Sequence, residues 1–452
     1  MASTYLLINF LSQTPTNRQK YTKSFWVKRS ALGAVNMIFY SGIGGTANAD
    51  IDFAVDDKLN IYERDASSVS WQLKTNRVFR DVGAWYHIVI EADSTQATSS
   101  DRIKLYVNGV QETSFATSTY PNQNINFENN KSSEVRNIGK YTTPAPYYFD
   151  GSLAHFHFID GTAYDASTFG ETDATTGIWK PKGFSGSYGT NGFFLKFENS
   201  GSMGTDSSPN GNNFTVSGNL TQTVDTPSNV FCTMNPLDNY LQQATFTNGN
   251  TSIATATTPY CANTSTLGVS QGKWYFEFKD TGQGADKQHG VGMVGLQTTS
   301  ASQGFPGLTA NAFSYNLANG NSVVNNSQSS YGTASTLNDI YGMAVDLDNN
   351  KFWVSRNGTW INSGDPANGT NGITGITSAT STPLGAYFVA YGDQNDVSGG
   401  YSVSFNFGNG YFGTTPVSSA TTDESGLGIF EYTVPSGYYA LCTENINEQE
   451  YA

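Results

Sequence analysis

The chain has 452 residues, too many for a single core of ordinary size, so two domains of about 200 residues each are expected. Charged residues make up only 13%, about half the usual share, while aromatics reach 13% and glycines number 47. With a net charge of −14 and its 23 Lys and Arg scattered, the chain has no basic stripe that would release counterions, so nucleic acid is not an expected partner.

The N-terminal MASTYLLINFLSQTPTNRQK lacks the charged and apolar regions of a signal peptide, and YLLINF reads as a first strand. No apolar run approaches the ~18 residues that cross a bilayer, so neither secretion nor membrane insertion is expected. The product is expected to be made in a cytoplasm and to stay there or leave by assembly and lysis. Strand-length segments then follow one another, separated by turn clusters: KSFWVKR (23–29), NMIFYSG (36–42), IDFAVDDKLNIYER (51–64), AWYHIVIEAD (84–93), RIKLYVNGVQ (102–111), GSLAHFHFIDG (151–161) and NGFFLKFEN (191–199). Asp56-Asp57 divides two alternating runs and predicts a hairpin turn.

Between 200 and 230 the composition shifts to Gly, Ser, Asn and Thr, which places a linker at 213–244 between domains 1–212 and 245–452. Beyond it come GKWYFEFKD (272–280), GVGMVGL (290–296), YGMAVDLD (341–348), KFWVSRNG (351–358), GAYFVAYG (385–392), YSVSFNFG (401–408) and GIFEYTVPSGYYAL (428–441). Helical periodicity is nearly absent, and this spacing of short strands and turns is that of β-sandwiches and jelly rolls. Cys232, Cys261 and Cys442 are too few and too far apart for a disulfide framework or a zinc knuckle, and are expected to be buried and reduced.

One phrase recurs: KLYVNGV at 104–110 and KFWVSRNG at 351–358, each an alternating strand that runs into Asn-Gly. In the first half, Trp85-x-His87, then KLYVNGV, IGKY and YFDGSLAHFHFIDG resemble the LamG-like jelly rolls of the concanavalin A-like family, over about 20–200. In the second, GKWYFEF, GVG and YGMAVDLDNNKFWVSRNG resemble the SPRY domain, over about 245–445. These resemblances imply an all-β protein of two successive concanavalin A-like antiparallel β-sandwiches, or jelly rolls. The pairing, with FGETDATTGIWKPKGFSGSYGTNGF at 169–193, is similar to virion proteins of marine bacteriophages.

Reactive constellations are sparse. A retaining glycosidase needs two carboxyls about 5 Å apart, and no acidic triplet at alternating positions is present. Glu277 with Lys279 and Asp346 with Asp348 come nearest, and the aspartates fall where a hairpin turns. Asp346-x-Asp348-x-Asn350 departs from an EF-hand at Lys351 and Asn357; GVSQGKW and GFSGS fall short of a P-loop and a nucleophile elbow. Period 2 places His155 and His157 on one strand face and Ala154, Phe156 and Phe158 on the other, so the imidazoles are expected outside, as an interface or ligand-binding pair. His87 is expected half-buried beside aromatic neighbours, and His289 in a Gly-rich loop.

The LamG-like resemblance implies calcium as a possible cofactor, for which Asp93, Asp101 and Asp150 are the acidic candidates; no other cofactor is expected. Tyr147 and Tyr148, in a segment stiffened by Pro144 and Pro146, are candidates for ligand contact, with one of them expected to point inward. In the second half the polar loops around 281–289, 301–335 and 361–382 suit adaptable contact. The expected function is non-enzymatic binding through sandwich rims at a bacteriophage virion surface, as a tail-fibre or receptor-binding component or a capsid decoration protein. Its expected partners are other virion proteins, further copies of the chain, and a host-surface glycan or receptor. A polysaccharide-binding or glycan-degrading protein is the alternative.

Overall fold

The computed structural model describes residues 4–451 apart from 10–12, 44–46, 66–67, 133, 142–146, 242–243, 256–259, 284–287, 297–305 and 395–399. The chain divides into two compact units, Met1–Gln222 and Thr223–Ala452. Both are built from antiparallel sheets, and among the described residues Thr443–Glu450 is the one α-helix.

In the first unit an eight-stranded sheet has the spatial order Phe115–Thr119, Ser68–Val78, Lys58–Asp65, Ala47–Phe53, Asn36–Ile43, Val135–Ile138, Tyr5–Asn9 and Thr215–Ser217. A six-stranded sheet has the order Phe193–Leu195, Gly151–Asp160, Lys20–Arg29, Trp85–Asp93, Ile103–Val107 and Val110–Glu112. Alternation decides what lies between them: Phe25, Val27, Ile88, Ile90, Phe156 and Phe158 from the six-stranded sheet meet Phe39, Ile51, Ile61, Trp71 and Leu73 from the other. Asp56-Asp57 does form the turn, with Asp57 at φ 59°. The Asp57 side chain is buried there and holds Arg29 at 3.0 Å and Arg80 at 2.8 Å.

The second unit repeats the two-sheet plan. A seven-stranded sheet runs Met234–Leu241, Cys261–Val269, Tyr387–Asp393, His289–Val294, Ala312–Asn316, Ser322–Val324 and Ser327–Ser329. The other runs Thr245–Thr247, Ser252–Ala254, Ser402–Asn406, Lys273–Gly282, Ile340–Asp346, Lys351–Arg356 and Thr359–Trp360, with Tyr439–Ala440 parallel beside Lys273–Gly282. The interior is again aromatic, with Phe276, Phe278, Phe313, Tyr315, Phe352 and Phe405. The stretch 213–244, expected as a linker, gives a strand to each unit: Thr215–Ser217 pairs with Tyr5–Asn9, and Met234–Leu241 with Cys261–Val269. Its composition signals loops, but an edge strand asks only for extended backbone and a free row of N–H and C=O groups.

The recurring Asn-Gly has one geometry in both units. Asn108 and Gly109 sit at φ 49° and 81°, and Asn357 and Gly358 at φ 48° and 79°, the left-handed pair of a two-residue I′ hairpin. Each asparagine also extends the ladder onto the next strand. The His87 N–H donates to Asn108 Oδ1 (2.7 Å) while the Asn108 N–H donates to the His87 carbonyl (2.9 Å). Ile340 and Asn357 make the same two bonds, at 2.9 and 2.7 Å. Glycine would supply the φ but not the acceptor. Asn357→Ala, which loses both, is expected to destabilise the protein by about 1–3 kcal/mol in urea unfolding, and Asn357→Gly by clearly less.

Candidate functional site

Three of the outward sheet faces decide where a ligand can sit. On the six-stranded sheet the outward residues include Trp26, Val89, Ile159 and Phe194, too apolar to face water. Residues 161–192 fold back over them and bring Ala166, Phe169, Trp179, Phe184 and Tyr188 into a second buried cluster. Trp179 lies flat against Gly109 and Gly170, positions where a Cβ would collide with its ring.

This cover corrects the expectation for the histidine pair. His157 does lie on the outward side, but it is 3% exposed, stacked on Phe194 at 3.8 Å with its Nδ1 3.0 Å from the Tyr188 hydroxyl. His155 sits at φ 47° in a bulge where register against Lys20–Arg29 shifts, so its half-buried ring meets Phe194 edge-on instead of aligning with His157. Burial holds both imidazoles below their usual range, His157 far below. Neither is an exposed ligand. His87, expected half-buried, is fully buried, and burial pushes it down to about 3.

Beneath this cover, pairing of the adjacent strands Lys20–Arg29 and Trp85–Asp93 sets Ser24 Oγ 2.8 Å from His87 Nε2, a pairing the sequence does not reveal. The Trp179 indole N–H donates to His87 Nδ1 at 3.0 Å, so in the neutral ring Nδ1 is the acceptor and Nε2 carries the proton. His87 therefore donates to Ser24 and cannot take its proton, which removes the general base a nucleophilic serine needs.

In the second unit, Tyr275 and Trp353 point outward and are sealed by Phe231, Phe430, Tyr438 and Ala440. Beneath that seal Glu277 accepts from the Glu431 and Tyr432 N–H groups, both at 2.9 Å, and from Asn406 Nδ2 and the Tyr275 hydroxyl, both at 3.1 Å. Burial raises its carboxyl to about 7 against those donors. It is a saturated structural acceptor. His289, expected in a loop, begins a strand and is buried against Tyr391 and Tyr401. Asp346 caps its hairpin turn, accepting from Asn349 N–H and Nδ2, whereas Asp348 accepts from the N–H of Gly272 on a distant turn.

The outer face of the eight-stranded sheet is different, because its cross-strand rows are polar. One row carries Leu7, Asn137, Tyr40, Asp50, Tyr62 and Gln72; the next carries Met37, Asp52, Asn60 and Lys74. Asn48 Nδ2 donates to Asp50 at 2.6 Å, and Gln72 donates to Asn60, which donates to Asp52 at 3.1 Å. Burial raises Asp50 to about 6 and Asp52 to about 7; in Asp52 the neighbouring Asp50 charge adds to it. Asp50-Ile51-Asp52 was legible as an acidic pair at alternating positions, a signal masked by its place in an apolar strand. Tyr141 meets Tyr40 edge-on at 5.1 Å, and Tyr147, 47% exposed, lies 6.3 Å from Tyr141. Tyr148 diverges: it is half-buried, bridges to Lys140 and has that ammonium 6.0 Å from its ring. Tyr147 thus stands at the exposed margin of the eight-stranded sheet's outer face, whose centre at Tyr40, Asp50 and Asn137 is buried, while His155 and His157 belong to the six-stranded sheet. Pro144 and Pro146 lie outside the described residues, as do 284–287 and 301–305 of the polar loops in the second half.

The acidic calcium candidates do not converge. Asp93 uses one oxygen for Thr95 N–H and Oγ1 and the other for Gln96 Nε2 and the Lys20 ammonium at 3.0 Å, so a cation already sits there. Asp101 lies in a 3-10 turn near Lys104, and Asp150 at the start of Gly151–Asp160. Among the described residues no three His, Cys, Asp or Glu side chains are grouped to hold a metal. Cys232, Cys261 and Cys442 are buried and form no disulfide.

Residues 2–167 match the Laminin_G_3 family model, described as the concanavalin A-like lectin/glucanases superfamily. Solved structures similar to part of the chain include the SPRY domain of human HERC1, at 14% identity and TM-score 0.29 over 38% of this chain and 96% of that one. A human SPRY domain has 14% identity and TM-score 0.26 over 34% and 90%, and the TRIM65 PSpry domain 7% and 0.30 over 39% and 91%. No curated protein matches the chain. No helix among the described residues is long and apolar enough to cross a membrane.

Glu277→Gln keeps the shape of the side chain but turns an –NH2 toward a backbone N–H. It is expected to cost about 2–3 kcal/mol, read as a lowered thermal midpoint.

Proposed function

We propose that the chain is a non-enzymatic binding protein of a bacteriophage particle surface, and that its first unit takes a host-surface glycan at the aromatic margin of the outer face of the eight-stranded sheet. The observation that carries the glycan reading is the pair Tyr141 and Tyr147, which reach the surface over the buried Tyr40 ring, on the same sheet face as the half-buried Tyr62 and Gln72. Rings supply flat apolar area for a sugar, and amides and hydroxyls fix its hydroxyl groups. The concanavalin A-like fold is a binding-module fold, in keeping with this reading. The particle setting is supported by the neutral polar composition and by the likeness of 169–193 and of the two-domain pairing to virion proteins. Contacts to other virion proteins fall, on this reading, to the remaining surface.

Asp50 and Asp52 favour a second reading, glycan hydrolysis, since two carboxyls on alternate positions of one strand are what that chemistry starts from. Asn48 stands where a third acid would continue the series. Release of reducing sugar by the purified protein, abolished in Asp52→Asn, would establish it.

Binding of the purified protein to a glycan array is the test of the first reading. Tyr141→Ala and Tyr147→Ala are expected to weaken the best hit at least about tenfold, the scale of one lost aromatic anchor, with the thermal midpoint nearly unchanged. Cryo-electron microscopy of the particle tests the setting: density for the chain inside the particle, or none, overturns it.

A further inference from the structure

We propose that the glycan taken at this margin is an acidic one, whose carboxylate or sulfate groups pair with Arg64 and Lys140 on either side of Tyr141 and Tyr147. The inference rests on the glycan reading above and names the class of sugar.

Charge is divided unequally along the chain. Residues 1–222 hold 18 of the 23 Lys and Arg and 20 of the 37 Asp and Glu, which leaves the first unit near neutrality and the second at −12. An anion is therefore repelled far less by the first unit than by the second.

Most cations of the first unit are already spent. Lys20, Arg77, Arg80, Lys104, Lys131 and Lys180 each lie within 4.0 Å of a carboxylate. Arg102 and Lys182 donate to backbone carbonyls, and Lys23 and Arg136 are buried. Arg64 and Lys140 differ, because each is held by an aromatic ring instead. The Arg64 guanidinium lies 5.4 Å from the centre of the Tyr62 ring, and the Lys140 ammonium 4.0 Å from Tyr5 and 6.0 Å from Tyr148. Among the described residues neither has a carboxylate at ion-pair distance; the buried Asp50 acts on Arg64 only from farther off. Arg64 is exposed, and Lys140 is half-buried.

Alternation and register put these two cations beside the tyrosines. With Leu59 and Ile61 in the core, Tyr62 and Arg64 fall on the outer side of Lys58–Asp65. Lys140 follows Val135–Ile138, three strands across the same sheet, a separation of roughly 14 Å at the usual strand spacing. Tyr141 stands between them. Its N–H donates to the Tyr147 carbonyl at 2.9 Å, next to the bridge between Lys140 and Tyr148, and its hydroxyl feels the Arg64 charge. A sugar lying on Tyr141 and Tyr147 thus has a cation on either side.

The chemistry follows from what the rings leave undone. A cation over a ring keeps its N–H donors, and their bonds to an anionic oxygen are about twice as strong as to a neutral one. Arg64 offers a planar fork that matches a carboxylate or a sulfate, and Lys140 a compact charge. A neutral sugar would leave both charges unmatched.

The experiment is titration of the full chain with the strongest acidic oligosaccharide from the array, beside two neutralised forms of it, one with carboxyl groups reduced to alcohols and one with sulfates removed. The acidic form is expected to bind about tenfold or more tightly than the form that has lost its charges, which also tells carboxylate from sulfate, and to weaken between about 50 and about 500 mM NaCl. Arg64→Gln and Lys140→Gln are each expected to weaken it about three- to tenfold with the thermal midpoint unchanged. Lys131→Gln, which removes the same charge from an ion pair elsewhere, is expected to leave binding as it was. Binding confined to neutral glycans, equal binding of acidic and neutralised forms, or acidic binding untouched by Arg64→Gln and Lys140→Gln overturns the acidic assignment and leaves the glycan reading standing. Absence of binding to any glycan at either salt concentration overturns both. If Lys140→Gln fails to fold, Arg64→Gln decides, since Arg64 is exposed.

Discussion

A sheet that is apolar on both faces cannot be left as half of a two-layer sandwich, and this constraint shapes both units. Trp26, Val89 and Ile159 in the first, and Tyr275, Ala344 and Trp353 in the second, would each place large apolar area in water. At about 25 cal/mol per Å² that area is costly enough to recruit a third layer from the chain's own connections. Residues 161–192 serve the first unit, and Phe430, Val434 and Tyr438 the second. The layer that seals one face also removes it from any contact with a partner. The outer face of the eight-stranded sheet is buried at its centre too, around Tyr40, Asp50 and Asn137, but there the buried rows are polar.

Much of the fold was legible because two signals do not depend on tertiary context. Strict alternation gives a strand its two faces, and Asn-Gly gives a hairpin its left-handed pair; both hold at 103–110 and 351–359. Alternation does not say whether the second face is wet. His155 and His157 were correctly opposed to Phe156 and Phe158, yet the inference that opposite means exposed failed, since nothing within GSLAHFHFIDG announces that Phe184 and Tyr188 will return over it. The bulge at His155 was equally hidden, because a positive φ at histidine has no sequence signature of its own.

The candidate site was legible only in part. Tyr147 stood out as one of two adjacent aromatics, and it is exposed beside Tyr141 on the outer side of the eight-stranded sheet. Its companions come from five strands, and register alone places Asn137, Tyr40, Asp50 and Tyr62 in one row. Register across this sheet includes pairings between segments distant in the chain, such as Asn36–Ile43 with Val135–Ile138 and Tyr5–Asn9 with Thr215–Ser217, which no local pattern encodes. The pair Asp50-x-Asp52 was visible, but an acid in a strand is ordinarily read as its solvent side.

Burial of a carboxyl is common in this chain, so burial cannot by itself mark a functional acid; what separates the cases is the supply of donors. Asp160 accepts from the N–H groups of Thr16, Asn17 and Asn191 and from Asn130 Nδ2. Asp423 accepts from three backbone N–H groups and from Ser425 and Asn445, and Glu277 from four donors in all. Each of these ties loops together and has its lone pairs spent. Asp50 is buried to the same degree with an oxygen unspent, in a row where Asn137 is unspent as well. Unpaired atoms occur at other buried side chains too, among them Glu134 Oε2 and the amides of Asn129 and Asn191, so an unspent oxygen does not by itself set Asp50 apart.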